Sequence, residues 1–251
     1  MLMNLDNMLK VSITGIDGAG KDTVSRSALE GISNTQDLTV VKLGRPAYRI
    51  VNGEVTQIFR RTTEAIDRLH EISDEVANTK LITASNALNM VIQTRVMERA
   101  SVADDAVDIL ASSRDPRLDP AVYYDFYGGK SSEYISMQRR ARLMQRLTNI
   151  SRDLIIYLEV DPELAVARID ARIAAENAGN DTTMRPKWKH VHENIHDLAS
   201  LAAGYDTALS TIDFDGADIV RIDTNDKTRA QVIEETQQTI LDAYRSKQAS
   251  I

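Results

Sequence analysis

Apolar residues along the chain fall into short runs that alternate with longer segments of helical periodicity. Short apolar runs that are bounded by turn residues are typical of strands buried inside a sheet. The runs that we predict to be strands are Lys10–Ile16, Leu38–Leu43, Val107–Ala111, Leu154–Val160 and Ala217–Ile222.

The segments between these runs have the spacing of amphipathic helices. Strands that alternate with helices form right-handed βαβ units, and such units build a parallel sheet that is covered on both faces. We therefore expect one α/β domain over residues 1–251, with a five-stranded parallel sheet and helices on both faces. The predicted helices are Lys21–Ile32, Glu54–Asp105 with an interruption around Ile72–Ala77, Ser131–Ile150, a helix that begins at Asp161-Pro162, and Asp226–Ala243.

Composition and charge exclude several classes of protein. The chain has 30 Lys and Arg against 37 Asp and Glu, a formal net charge of −7, which disfavours a wide nucleic-acid-binding surface. Cysteine is absent, which excludes disulfides and thiolate metal sites. There is no apolar stretch of membrane-spanning or signal-peptide length, so we expect a cytoplasmic protein without membrane contact.

A glycine-rich segment at the end of the first predicted strand carries the strongest chemical signal. It reads Gly15-Ile16-Asp17-Gly18-Ala19-Gly20-Lys21-Asp22-Thr23, and it lies between a predicted strand and a predicted helix, the context that a phosphate-binding P-loop requires. The glycines let backbone N–H groups face an anion, and the helix N-terminus adds partial positive charge. We predict that these residues bind ATP, with Lys21 on the β- and γ-phosphates.

One residue of the segment departs from the P-loop pattern. Asp22 stands where a Ser or Thr hydroxyl normally binds Mg²⁺. A carboxylate is also a hard oxygen ligand for Mg²⁺, and Thr23 offers a hydroxyl one position later. Both remain candidate metal ligands.

Further motifs resemble those of thymidylate kinases over most of the chain. Arg45-Pro46 follows the second predicted strand, Arg95 lies in QTRVMER, and Ser113-Arg114 follows the third strand. The segment RDLIIYLEVDPE, residues 152–163, is similar to the family's fourth strand and the turn after it. Three further arginines match its lid region: Arg168, Arg172 and Arg185.

The resemblance implies a P-loop nucleoside monophosphate kinase that transfers the γ-phosphate of ATP to a nucleoside monophosphate, with dTMP the expected acceptor, Mg²⁺ as cofactor and a possible homodimer. It implies a lid over about residues 170–195, with Arg185 on the donor nucleotide. The residues implied in catalysis are Lys21, Asp17 and Arg114, and those implied in acceptor binding are Arg45, Arg95 and Arg114.

Some positions depart from the family, and other functions remain open. Ser113 replaces an aspartate, and Val91 stands where an aromatic residue stacks on thymine. A non-catalytic nucleotide-binding relative, a P-loop ATPase and a deoxynucleoside or other nucleotide kinase remain alternatives.

Two local patterns have competing interpretations. His192-Glu193-Asn194-Ile195-His196 matches the zinc-protease motif H-E-x-x-H, but Asp197 follows it and no third histidine ligand does, so we interpret these as histidines on a helix surface. The basic run at Arg139, Arg140, Arg142 and Arg146 is interpreted as a solvated helix face.

Overall fold

Five parallel strands with a hairpin at one edge form the sheet of this protein. The computed structural model describes residues 7–75, 79–98, 107–126, 137–148, 151–178 and 193–250. Within these residues the sheet has seven strands in the order β4-β3-β2-β5-β1-β6-β7. The strands are β1 (Leu9–Thr14), β2 (Val40–Leu43), β3 (Ala47–Val51), β4 (Glu54–Ile58), β5 (Ile109–Ser112), β6 (Leu154–Glu159) and β7 (Asp218–Asp223).

The α/β class is confirmed, but the prediction of a purely parallel sheet with five strands was wrong. The strands β2, β5, β1, β6 and β7 are parallel, whereas β3 pairs antiparallel with both β2 and β4. Asn52 and Gly53 connect β3 to β4, with φ of 51° and 77°. A two-residue turn with both φ positive matches the twist of a hairpin, so this segment folds back as strands where the sequence predicted a helix from Glu54.

Helices fill most of the chain between the strands. The described helices are α1 (Lys21–Gln36), α2 (Arg60–Glu75), α3 (Thr79–Ile92), a π-helix (Gln93–Glu98), α4 (Leu118–Phe126), α5 (Met137–Thr148), α6 (Pro162–Ala178), α7 (Ile195–Thr211) and α8 (Arg229–Ala249). Thr228 and Gln231 form a capping box at the start of α8. The helix α1 continues past Ile32, where we predicted its end, to Gln36, and Asp37 then ends it in the left-handed conformation.

Buried side chains cover both faces of the sheet. In β2, Val40 belongs to the cluster that includes Leu29 of α1, whereas Val41 belongs to a second cluster with Ile66 of α2 and Met97 of the π-helix. Successive residues of a strand point to opposite faces, so these memberships place helices on both faces, as predicted. No helix within the described residues is both long and apolar enough to span a bilayer.

The strand order brings the carboxyl ends of β1 and β6 together. The chain leaves β1 towards β2 on one side of the sheet and leaves β6 towards β7 on the other. In open α/β sheets, ligands bind at such a point, where neighbouring connections diverge. The glycine-rich segment follows β1 directly and therefore lies at this position.

Candidate functional site

The glycine-rich segment forms the turn between β1 and α1. Gly18 and Gly20 have φ of 87° and 83°, a region that residues with a side chain rarely adopt. A Cβ on Gly18 would lie 2.6 Å from the carbonyl oxygen of Ala165 in the first turn of α6. The turn therefore rests directly on α6 and depends on glycine at this position.

Lys21 is the first residue of α1, and it is buried. Its ammonium donates to Asp17 Oδ1 at 2.6 Å and to the Ile16 carbonyl oxygen at 3.4 Å. Lys21, more than any other group, holds the pKa of Asp17 well below its usual range. Burial by itself would lower the pKa of Lys21, but the Asp17 carboxylate raises it. The two side chains thus form an ion pair that keeps both of them charged at neutral pH.

A pocket of about 350 Å³ opens beside this turn. One wall is the glycine-rich segment and the first turn of α1, and the opposite wall comes from α6 and from the connection between β7 and α8. Five cationic side chains line it: Lys21, Arg168, Arg172, Lys227 and Arg229. The acids in the lining are Asp17 and Asp22, so the wall carries an excess of positive charge.

Asp22 faces a buried lysine. Its carboxylate is 73% exposed, and Oδ1 lies 3.7 Å from the ammonium of Lys42, whose side chain is only 5% exposed. Partial burial by itself would raise the pKa of Asp22, but the cations around it and a hydrogen bond with Ser113 lower it. Lys42 precedes the last residue of β2, so the fold brings a strand lysine to the first turn of α1.

Arg45 and Arg114 follow β2 and β5, and each is only partly exposed. The Arg45 guanidinium lies 3.1 Å from Asp67 of α2. Burial lowers the pKa of Arg45, and so does the nearby charge of Arg114. Arg114 lies over the ring of Tyr123, 5.1 Å from its centroid, and it also lowers the pKa of Asp22. The structure thus brings these two predicted acceptor residues close together and near the glycine-rich segment.

Position 113, before Arg114, was expected to be an aspartate but is Ser113. A different buried carboxylate, that of Asp119, lies beside Arg114. Asp119 Oδ1 lies 3.4 Å from Arg114 Nη1 and accepts a hydrogen bond of 2.9 Å from the Tyr205 hydroxyl. Asp119 Oδ2 accepts hydrogen bonds from the Thr14 hydroxyl and from the Asp115 backbone N–H. Burial raises the pKa of Asp119. This network connects the end of β1 to α4 and α7 and fixes the Asp119 carboxylate beside the Arg114 guanidinium.

Arg95 lies elsewhere. Its Nε donates to the Leu147 carbonyl oxygen at 2.6 Å, and its Nη2 donates to the Arg146 carbonyl oxygen at 3.1 Å. These carbonyls are at the C-terminal end of α5, where a helix has unpaired acceptors. The observed contacts of Arg95 are therefore those of a helix cap, and its role in acceptor binding stays a prediction.

The lid arginines differ in their contacts. Arg168 donates to the side chain and the carbonyl oxygen of Thr224, and this contact connects α6 to the loop after β7. Arg172 is half-exposed and forms an ion pair of 3.4 Å with Glu193. Arg185 and most of the predicted lid lie outside the described residues.

The histidine motif spans the start of a helix. The Asn194 side chain accepts a hydrogen bond from the Asp197 N–H and caps α7, which begins at Ile195. His196 is exposed in the first turn, and His192 lies outside the described residues. In the described part of the chain, no group of three or more His, Cys, Asp or Glu side chains is arranged to hold a metal.

The basic run on α5 has the surface position that the sequence predicted. The side chains of Arg139, Arg142 and Arg146 are exposed. The side chain of Arg140 is outside what the structure describes.

Asp22 and Thr23 both line the pocket, and they provide the hard oxygen donors that suit Mg²⁺. This cation usually binds through one or two protein oxygens together with substrate phosphates. The Asp22 carboxylate fits this requirement, because its side chain is 73% exposed and lies in the wall of the pocket.

Three residues of the site were not predicted from the sequence: Lys42, Asp119 and Tyr205. Lys42 interrupts an apolar strand, and a charged residue in a strand predicted to be buried is a signal for a buried partner. Asp119 and Tyr205 are 86 residues apart, and no local pattern connects them.

No protein-family model matches the chain, and no curated protein matches it.

Proposed function

We propose that this chain is a P-loop phosphotransferase that moves the γ-phosphate of ATP to a nucleoside monophosphate, with dTMP as the expected acceptor. The observation that carries the proposal is the pocket of about 350 Å³ that begins at the glycine-rich turn and has Lys21 in its wall. Its volume lies within the range of small-molecule sites, about 300–1,000 Å³.

Support for a donor phosphate site comes from the turn itself. The N-terminus of α1 faces the pocket and carries unpaired N–H groups and partial positive charge, which favours a phosphate. Among the described residues, the hydrogen bonds of the buried Lys21 ammonium go to side-chain and carbonyl oxygens of the same turn. A polyphosphate bound at the helix N-terminus would accept hydrogen bonds from these groups. Arg168 and Arg172 would neutralise it from the α6 side of the pocket.

Support for an acceptor site comes from Arg45 and Arg114, which follow neighbouring strands at the same edge of the sheet. Planar guanidinium groups bind phosphate oxygens through two donors at once. In the proposed step, an anionic oxygen of the acceptor phosphate attacks the γ-phosphorus and the bond to the β,γ-bridging oxygen breaks. ADP leaves with that oxygen. The attacking oxygen is already deprotonated, so the residues only align the two phosphates and neutralise their charge.

Asp22 and Thr23 would hold Mg²⁺ at the pocket. When bound, this ion neutralises charge on the β- and γ-phosphate oxygens. Asp17 is expected to orient Lys21, because the two side chains are 2.6 Å apart.

The test is release of ADP from ATP and Mg²⁺, measured with each common nucleoside and deoxynucleoside monophosphate in turn. We expect release to depend on a single monophosphate and to disappear in Lys21→Met. Lys10→Met is the matched control, because Lys10 is a strand lysine paired with Glu98 at the amino end of β1. Equal release without an acceptor would replace the proposal with an ATPase. ATP binding without any release would replace it with a non-catalytic nucleotide-binding protein.

A further inference from the structure

The ion pair between Lys42 and Asp22 lies beside the glycine-rich segment, and Lys42 is not part of the P-loop pattern. The Lys42 side chain is only 5% exposed, and an ammonium that is removed from water is strongly destabilising unless it is paired. A Cβ on Gly44 would lie 3.4 Å from Lys42 Nζ and 2.9 Å from Ser113 Oγ. The ammonium therefore lies against the Gly44 backbone, near Ser113, and is directed at Asp22.

Asp22 puts negative charge where a phosphate is expected. It lies in the first turn of α1 and lines the same pocket wall as Lys21. A hydroxyl at this position would be neutral, whereas a carboxylate with no cation beside it repels a bound polyphosphate. At the surface of a protein, an uncompensated unit charge within about 5 Å of a phosphate is sufficient to weaken binding at least about tenfold.

We propose that Lys42 is a positioning residue for phosphate binding, which holds the Asp22 carboxylate and cancels its charge so that a polyphosphate can bind beside it. The inference rests on the phosphate-binding part of the proposed function, and it does not depend on the nucleoside or on the acceptor. Lys42 acts through Asp22, so the two residues function as one unit. Lys21 and Arg114 also act on the Asp22 carboxylate, but Lys42 is in contact with it. Removal of Lys42 alone leaves a carboxylate without its ion-pair partner, whereas neutralising both residues leaves a neutral site.

The experiment is calorimetric titration of the full chain with inorganic tripolyphosphate in the presence of EDTA. The variants are Lys42→Met, Asp22→Asn and the double variant, with Lys10→Met as the control for loss of a paired strand lysine. We expect Lys42→Met to bind at least about tenfold more weakly than the wild type, by the same charge argument. The double variant and the control should both bind within about threefold of the wild type, because neither leaves an unpaired charge at the pocket. Circular dichroism identifies folded variants, and Lys42→Gln replaces Lys42→Met if the latter does not fold.

The outcomes separate this inference from the proposed function. Wild-type affinity in Lys42→Met would overturn the inference. Equal weakness of Lys42→Met and the double variant would also overturn it, because the effect would then not pass through Asp22. No tripolyphosphate binding by the wild type would overturn both the inference and the proposed donor site. The expected pattern of affinities without phosphoryl transfer would support the inference and reject only the kinase.

Discussion

The contact between Gly18 and α6 predicts a large and specific effect of Gly18→Ala. Gly18 has φ of 87°, and a side chain in the left-handed region costs about 1–2 kcal/mol. The added Cβ would also lie 2.6 Å from the Ala165 carbonyl oxygen and 2.8 Å from its Cα. These are backbone atoms that cannot rotate away, and overpacking of this kind typically costs a further ~1–3 kcal/mol. We expect the free energy of unfolding to fall by about 2–5 kcal/mol, the sum of the two contributions.

Gly216→Ala provides the matched control. Gly216 has φ of 83°, and a Cβ there would have nothing within 4 Å. Only the backbone cost of about 1–2 kcal/mol applies. Urea unfolding followed by circular dichroism measures both variants. Equal destabilisation would refute the close approach of the turn to α6. We also expect ATP affinity to fall only in Gly18→Ala, because only that change displaces the turn that is proposed to bind phosphate.

Three further predictions test other contacts. Arg95→Ala should lower the free energy of unfolding by about 1–2 kcal/mol through loss of its bonds to helix carbonyls, and unchanged stability would contradict that role; the acceptor KM of the same variant, expected to rise more than the KM for ATP, tests its predicted place in acceptor binding. Tyr205→Phe removes the hydroxyl that donates to Asp119 and should cost about 1.5–3 kcal/mol in urea unfolding, and an unchanged midpoint would contradict that role. Lys21→Met should remove the stability that comes from the lowered pKa of Asp17. In the wild type, the pKa of Asp17 is lower in the folded state than in the unfolded chain. This stabilisation is therefore present above the unfolded pKa, near 3.8, and is lost as the pH falls further. The difference in unfolding free energy between wild type and Lys21→Met should shrink below that pH, and a difference that is constant from pH 7 to 3 would exclude the pair as its source.

The parallel strands could be predicted from the sequence because each is a short apolar run. A strand buried on both faces excludes polar residues, so its pattern is visible without knowledge of its neighbours. The hairpin was missed because it lies at the edge of the sheet, where β4 is largely exposed and Glu54–Ile58 is mostly polar. Its one local signal was Asn52-Gly53, a pair that favours the two-residue turn of a hairpin.

The glycine-rich turn and Lys21 could also be read from the sequence, because their geometry is set within nine consecutive residues and by the local conformation of glycine. Arg45 and Arg114 were singled out by the resemblance to thymidylate kinases, and they lie near each other because the parallel strands β2 and β5 end at the same edge of the sheet. Their role in acceptor binding stays a prediction. The observed hydrogen-bond partners of Arg95 could not be predicted from the sequence. A residue within a helix can face several neighbours, and its partners here are 51 and 52 residues away on α5.

Only the tertiary structure decided which charges meet. It paired Asp22 with a lysine from β2 and put Asp119 beside Arg114. Such pairs form because a buried charge must find an opposite charge or a hydrogen bond wherever the fold supplies one. Strand order and helix packing determine where that is, and a local pattern of residues carries neither. The sequence by itself therefore determined the α/β class, the five parallel strands and the glycine-rich turn after β1, whereas the folded chain determined which charges surround that turn.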